Sequence, residues 1–431
     1  MGKIGNPLLL YSEIIQTADI TLDRSMPPKK TIKRFIHYMK PIEDVRLDGM
    51  IHYPLPEILT LSFLAVLAGA DTWSSIQMFA VTKHKWLKKV LPLKNGIPSH
   101  DTFRRVFGLI DPIAFGTATV AFLVERMQAI KKALPMQEPS LRQLCVDGKE
   151  KRGSGRKHNT SEEVRNLQTL HIYDASHGIC LVSAPIESKT NEIPVAQKYL
   201  EVLQLKDCVV TFDSMNTQKD TISVISEKGG DYLGALKGNH PSLHAELDLF
   251  FTKEKCQAIK EQSLHFYATT EKSHNQIEQR KFYLASDIQW FADRKLWKKL
   301  KSFICYELTT ENLITGKKTY ERRYYISSLK DVITCAQAIR GHWAVESFHW
   351  MLDVHFGDDD NTTIDKNAAH NLGSLNKMVL TLYKLVQPFS KKVSIRGIRQ
   401  NFGWDFEMQV AQLLLLFDED FLANTLRSAQ I

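Results

Sequence analysis

Three acidic residues stand where their chemistry would be useful. Asp147 closes a short β-prone run at 141–146, Asp213 closes another at 208–212, and Glu346 lies inside an apolar helical stretch. Carboxylates at strand ends in an α/β sheet face the crevice in which ligands bind. Shared carboxylate oxygens can clamp two divalent cations about 3.5–4 Å apart, the arrangement that stabilises both the attacking and the leaving oxygen of a phosphodiester. The three acids are 66 and 133 positions apart, so only the fold can bring them together. A basic knot follows the first of them: Lys149, Lys151, Arg152, Arg156 and Lys157, opposed locally only by Glu150. Such a cluster suits a polyanion, although a charge run is often just a solvated loop. An aspartate at a strand end, taken alone, is more often a turn residue than a ligand.

The elements that must position these residues change character along the chain. Residues 1–137 read as an all-helical N-terminal domain. Pro54-Leu55-Pro56 opens an apolar helix, Trp73 to Val90 reads as one basic helix, and Ser99 caps a short helix that carries Arg104 and Arg105. A further helix covers 113–134, and Pro135 to Ser140 reads as a linker. From 138 to 390 the pattern is α/β: three strands in succession (141–146, 167–173, 179–185), then a helix at 192–205, a strand at 208–212, a helix at 218–227 and a strand at 232–236. Residues 241–330 break the alternation as a β-rich insertion, helix returns at Val332, and 391–431 form a helical tail.

Composition narrows the class further. The 431 residues are 43% hydrophobic and 24% charged, which excludes wholesale disorder. The six cysteines lie 28 to 49 positions apart with no CxxC pair, which removes zinc ribbons and thioredoxin-type motifs. No disulfide framework is expected, and a reducing cytoplasm is the expected location. The strongest apolar run, Ile58 to Ala70, has 13 residues and contains Thr60 and Ser62, too short to span a bilayer, so no membrane is expected. Glu13 and Asp19 interrupt any signal-peptide core near the N-terminus. Net charge is +8, and the first 140 residues hold 18 Lys and Arg against 12 Asp and Glu. The excess is concentrated in the helical third, which points to nucleic acid there.

Longer segments carry a resemblance. CVDGKEKRGS (145–154), VVTFDSMNTQKD (209–220), YLGALKGNH (232–240), IRGHWAVESFHWMLDVHFGDDD (339–360) and IPSHDTFRRVF (97–107) together resemble DDE-type insertion-sequence transposases, in the branch of the H-repeat-associated proteins of Rhs elements. The likeness runs from about residue 35 to 390. It implies an RNase H-like catalytic core with Asp147, Asp213 and Glu346 as catalytic metal ligands for Mg²⁺, with Mn²⁺ able to substitute. It also implies double-stranded DNA as partner, at element ends and target, with a homodimer on DNA and a bacterial cytoplasmic location beside the nucleoid. Lys237 and Asn239, after the strand at 232–236, take a substrate-contact role mainly from the resemblance.

Around Glu346 the chain departs from a pattern of related transposases, Tyr-x2-Arg-x3-Glu-x6-Lys. Ile339, His342 and Asp353 occupy the Tyr, Arg and Lys places, so of these only His342 is left as a hydrogen-bond donor to DNA. His342, Glu346, His349 and Asp353 share one helical face. Glu346-x-x-His349 has the spacing of a di-iron ligand pair, but no second such motif sits on an apolar helix. Family register and apolar neighbours (Ala344, Val345, Phe348) favour Glu346 over Asp353 or Asp358 to Asp360 as third ligand, with Asp353 in a supporting part. The expected function is metal-dependent strand cleavage at element ends followed by strand transfer. The alternative is a transposase-derived DNA-binding protein or nuclease without transposition.

Overall fold

A computed structural model describes residues 29–133, 141–156, 164–187, 190–273, 275–387 and 393–415. The linker at Pro135 to Ser140, Lys157, and residues 391–392 and 416–431 of the tail therefore lie outside the described residues.

Helices α1 (Lys29–Met39), α2 (Leu55–Leu67), α3 (Trp73–Thr82), α4 (His84–Leu87), α5 (His100–Leu109) and α6 (Pro112–Ala133) build the N-terminal region. Nearly every side chain of α2 is buried, as a helix apolar all round requires. Its Thr60 and Ser62 hydroxyls donate to the carbonyls of Pro56 and Ile58 one turn back, so neither is stranded in the interior. The single helix expected over 73–90 is two: α3 ends at Thr82 and the chain re-enters as the one-turn α4. Ser99 caps α5 as expected, its hydroxyl accepting from the Thr102 amide at 3.3 Å.

Among the described residues the β-strands form one sheet of nine, in the order β3-β2-β1-β4-β5-β9-β8-β7-β6. β1 (Arg142–Lys151), β2 (Leu167–Asp174) and β3 (Ile179–Ile186) are antiparallel neighbours, while β4 (Cys208–Phe212) and β5 (Asp231–Leu236) run parallel to β1. Parallel pairing needs crossovers. α7 (Glu192–Val202) precedes β4 and α8 (Lys219–Glu227) links β4 to β5. The segment 241–330 begins with two helices, α9 (Pro241–Phe250), where the sequence predicts one near 243–252, and α10 (Lys253–Glu261), which it does not predict. It continues as β6 (Phe266–Ser273), β7 (Gln276–Ala285), β8 (Ser302–Asn312) and β9 (Lys318–Ser327). β9 pairs antiparallel with β5, so this β-rich segment widens the central sheet.

Two layers cover the sheet. Ala196 and Leu200 of α7, with Ile222 and Ile225 of α8, pack on Leu144, Val146, Val210 and Phe212. On the opposite face, α11 (Val332–Phe356) sets Val332, Cys335, Ala336 and Ile339 against Val209, Leu233 and Ile304. The chain then forms α12 (Lys366–Val386), α13 (Ile395–Trp404) and α14 (Phe406–Leu415). α12 is the spine of the helical layer. Leu372, Leu375, Val379 and Tyr383 share one buried cluster with Phe35, Phe63, Phe103 and Phe122, so the N-terminal helices close their interior with help from α12. Tyr383 donates to the Leu67 carbonyl at 2.7 Å, and Asn371 donates to the Phe107 and Ile110 carbonyls that end α5. Among the described residues no single helix is long and apolar enough to cross a membrane.

Candidate active site

Asp147 does not end its strand. β1 continues four residues further to Lys151, paired with β2 on one side, where Asp147 faces His171. What ends at Asp147 is the other neighbour: the last β1–β4 pair is Val146 with Phe212. The next residues on the two parallel strands are Asp147 and Asp213, side by side at the mouth of a slot where adjacent strands lie about 4.8 Å apart. Alternation then fixes their direction. Cys145 and Thr211 look toward α11, where the Cys145 thiol meets the Gly341 carbonyl and the Thr211 hydroxyl meets His342 Nδ1 at 2.9 Å. Two residues on, Asp147 and Asp213 point the same way.

Glu346 is held over this slot by its neighbours on α11. His342, one turn before it, is bonded to Thr211 of β4. His349, three residues after it, places Nδ1 3.6 Å from Asp147 Oδ2, and a 2.7 Å hydrogen bond joins its Nε2 and His171 Nδ1 of β2. These residues share one helical face, so Glu346 hangs between the two anchors. Its side chain is exposed while Val345 and Phe348 are buried. The apolar neighbours that favoured Glu346 as a ligand do not enclose it: the helix buries Val345 and Phe348 and leaves Glu346 open to the crevice.

The electrostatics are one-sided. Burial, then the charges of Asp213, Glu192 and Glu346, push the Asp147 carboxyl up from 3.8 to about 7. Burial lowers His342 to about 4 and His349 to about 3, and takes buried His171 well below its ordinary value, so these imidazoles are neutral near pH 7. Among the described residues no lysine or arginine forms an ion pair with Asp147, Asp213, Glu192 or Glu346. The loop after β4 is tied down by hydrogen bonds. Asp213 Oδ1 accepts from the Asn216 backbone and side chain, and the Thr217 hydroxyl lies 2.9 Å from the Asp213 carbonyl and 2.7 Å from the Ala235 carbonyl, either of which can take its proton.

Two family models match: a DDE_Tnp_1-associated region at residues 36–123 and a transposase DDE domain at 138–382. The chain belongs to the transposase DDE family. This DDE chain is 33% identical over 359 residues to a putative transposase, YncI, of Escherichia coli O157:H7, covering 82% of this chain and 88% of that one. It is 29% identical over 401 residues to the H repeat-associated putative transposase YhhI of Escherichia coli K12, covering 92% and 98%. A short relative of that strain, at 35% identity over 75 residues and 17% of this chain, is named an inactive transposase, YbfQ.

The other residues singled out for this DDE protein fall into two groups. Lys149 and Lys151 are corrected: their side chains are only 7% and 6% exposed, and both are engaged inside the protein. Lys149 Nζ meets Asp353 at 2.6 Å and Asp359 at 3.1 Å, while Lys151 Nζ meets Asp358 at 2.8 Å and the Ala369 carbonyl at 3.0 Å. Asp353 thus has the supporting part expected of it, with a lysine as its partner. Asp358 is no solvated turn residue, at 3% exposure. His342 engages Thr211 through Nδ1, a contact within the protein. Asn239 donates to the Ser214 carbonyl and braces the Asp213 loop. Facing outward are Arg152, with an 82% exposed side chain, together with Arg156, Lys237, Arg104 and Arg105. Missed altogether were Glu192, Asn216 and the partnership of His171 with His349. Glu192 is the first residue of α7 behind its cap Asn191, and an acid in a first helical turn is ordinary enough to carry no signal.

Proposed function

We propose that the protein is a DNA transposase that cleaves phosphodiesters at the ends of its element and joins the freed 3′-hydroxyl to target DNA, on an RNase H-like core. The observation that carries this is the meeting of Asp147, Asp213 and Glu346 in a slot of like charge. Three antiparallel strands followed by two parallel ones, in the order β3-β2-β1-β4-β5, are the topology such a core requires.

The residues fit a hard divalent cation. The donors are carboxylate oxygens, Asp147 is driven toward its protonated form by burial and then by its acidic neighbours, and the fully buried Asn216 keeps an Oδ1 with no partner. The carboxylate oxygens are not drawn into one tight group: among the described residues, only Cys256, Cys305 and Glu307 have three ligand atoms all within 4.8 Å of one another. A wider set suits two Mg²⁺ ions, or Mn²⁺ in their place, better than one. Bound there, the cations supply charge for the attacking oxygen and the leaving 3′-oxygen. The protein's own part is orientation. β1 and β4 fix the two aspartates side by side, and His342 and His349 fix the helix that presents Glu346. The neutral imidazoles leave the slot's negative charge uncompensated. Arg152, Arg156, Lys237, Arg104 and Arg105 contact DNA phosphates from the surface, and two copies act together on the element's two ends.

The test uses the full chain and DNA carrying the flanks of its own gene. Mg²⁺-dependent nicking and covalent joining of a labelled 3′-hydroxyl end to plasmid are expected, and Glu346→Gln should abolish both while DNA binding persists. Nicking without joining would mean a nuclease, and binding without either would mean a DNA-binding descendant.

A further inference from the structure

We propose that Glu192 is a fourth carboxylate of the same cation site, acting with Asp147 and Asp213; this rests on the divalent-cation reading above. Glu192 approaches from the side of the sheet opposite Glu346. Alternation along β1 turns Leu144, Val146 and position 148 toward α7, and Cys145 and Asp147 toward α11. Position 148 is a glycine, and a β-carbon there would overlap the Glu192 carboxylate. The acid therefore fills the space of a missing side chain in the residue next to Asp147. Any larger residue at 148 would close that passage.

Asn216 ties the acid to the site from the other strand. Its Nδ2 donates to Glu192 Oε2 at 3.2 Å and to Asp213 Oδ1 at 3.3 Å, bringing the two carboxylates to one amide. The Asn216 side chain is fully buried, and its Oδ1 has no partner. A buried acceptor beside carboxylates lacks a positive or donating neighbour, and an oxygen-seeking cation would be one. The charge of Glu192 also reaches Asp147, and burial together with Asp213 raises the Glu192 carboxyl in turn. Glu346 and Glu192 thus flank the aspartate pair from the two faces of the sheet. An acid kept only for the α7 dipole would have no need to cross the strand at a glycine.

The test compares metal-free wild type, Glu192→Gln, Gly148→Ala and Asp213→Asn, all full-length, by calorimetric titration with MnCl₂ and by melting in EDTA. Glutamine keeps the Asn216 hydrogen bond and loses the charge. Glu192→Gln should weaken Mn²⁺ binding by about 10–100-fold, the scale seen even for groups one step removed from a metal. In EDTA it should melt higher than wild type, because like-charge repulsion is relieved. Gly148→Ala keeps every carboxylate but displaces this one, and should weaken Mn²⁺ binding too. Wild-type binding in Glu192→Gln with binding lost in Asp213→Asn would overturn the proposal alone, as would a lower melting temperature of Glu192→Gln in EDTA, the mark of a structural buttress. Wild-type binding in all three variants would overturn the cation reading itself.

Discussion

Asp147→Asn should make the metal-free protein more stable, although it removes a residue at the centre of the site. In the folded chain the Asp147 carboxyl is raised from 3.8 to about 7, chiefly by burial and then by Asp213, Glu192 and Glu346. The folded state therefore holds this proton more tightly than the unfolded chain does. Ionised Asp147 costs stability. The cost is absent below about pH 4, grows as pH rises between the two pKa values, and is complete above about pH 7. Roughly three pH units at about 1.4 kcal/mol each set a ceiling of about 4 kcal/mol, lowered somewhat because the side chain is 24% exposed. Asparagine keeps the shape and cannot ionise. At pH 8 in EDTA the variant should gain about 2–4 kcal/mol, shrinking below about 2 kcal/mol at pH 5. For 431 residues at about 2.1 cal/mol/K each, the unfolding entropy is about 0.9 kcal/mol/K, so the gain at pH 8 is about 2–4 °C in Tm. Scanning calorimetry reads it directly. Adding Mg²⁺ should raise the wild-type Tm and move the variant far less. A variant that melts lower at pH 8, or by an amount independent of pH, would refute the idea that the site is strained by like charge.

Asp358→Asn should act in the opposite direction. It strips the partner from buried Lys151, beside buried Lys377, and breaking such a pair costs about 3–5 kcal/mol, so Tm at pH 7 should fall by several degrees; an unchanged Tm would show the network to be dispensable. Burial opposes ionisation of Asp358, but Lys151 and Lys377 outweigh it and hold its pKa below the usual value. Its stabilisation is thus present above the ordinary aspartate range and lost as pH falls through the depressed pKa, and the variant should lose that part of the acid sensitivity. Replacing Arg152 and Arg156 together by alanine should weaken DNA binding and reduce the slope of log affinity against log salt by about 2, one phosphate contact each; an unchanged slope would remove both from the interface.

The sheet was legible because its strands announce themselves. Cys208–Phe212 is a β-prone run, apolar except for Thr211 and bounded by Asp207 and Asp213, and the structure keeps the same limits. The error at β1 was of another kind. Gly148-Lys149-Glu150-Lys151 has no β-prone residue, so the strand was taken to stop at Asp147, yet pairing with β2 carries it to Lys151. Long-range pairing overrode local propensity. The mistake propagated, because a basic knot in a loop reads as a DNA contact. Had the strand been extended, alternation alone would have turned Lys149 and Lys151 to the same side as Asp147, toward α11 and away from solvent. Glu192 could not be found that way, since its approach depends on the packing of α7 across a glycine.

The buried charges then explain how an exposed glutamate can be placed accurately. Glu346 has no bond of its own among the described residues that fixes it. Its helix is fixed instead, on both sides. His342, four residues earlier, bonds to Thr211, two residues before Asp213 on β4. Asp353, seven residues later, pairs with Lys149, two residues beyond Asp147 on β1. From Glu346 to Asp353 the helix rises about 10 Å, which keeps Asp353 out of the cation site and makes it a remote clamp. Lys151 with Asp358 extends the clamp past the Gly357 turn that ends α11. Each aspartate strand is thus bolted to α11 at a position two residues from its own acid. A carboxylate that must take up a cation works best with no permanent partner. The lysines that looked like DNA ligands are, on this geometry, what lets Glu346 remain free.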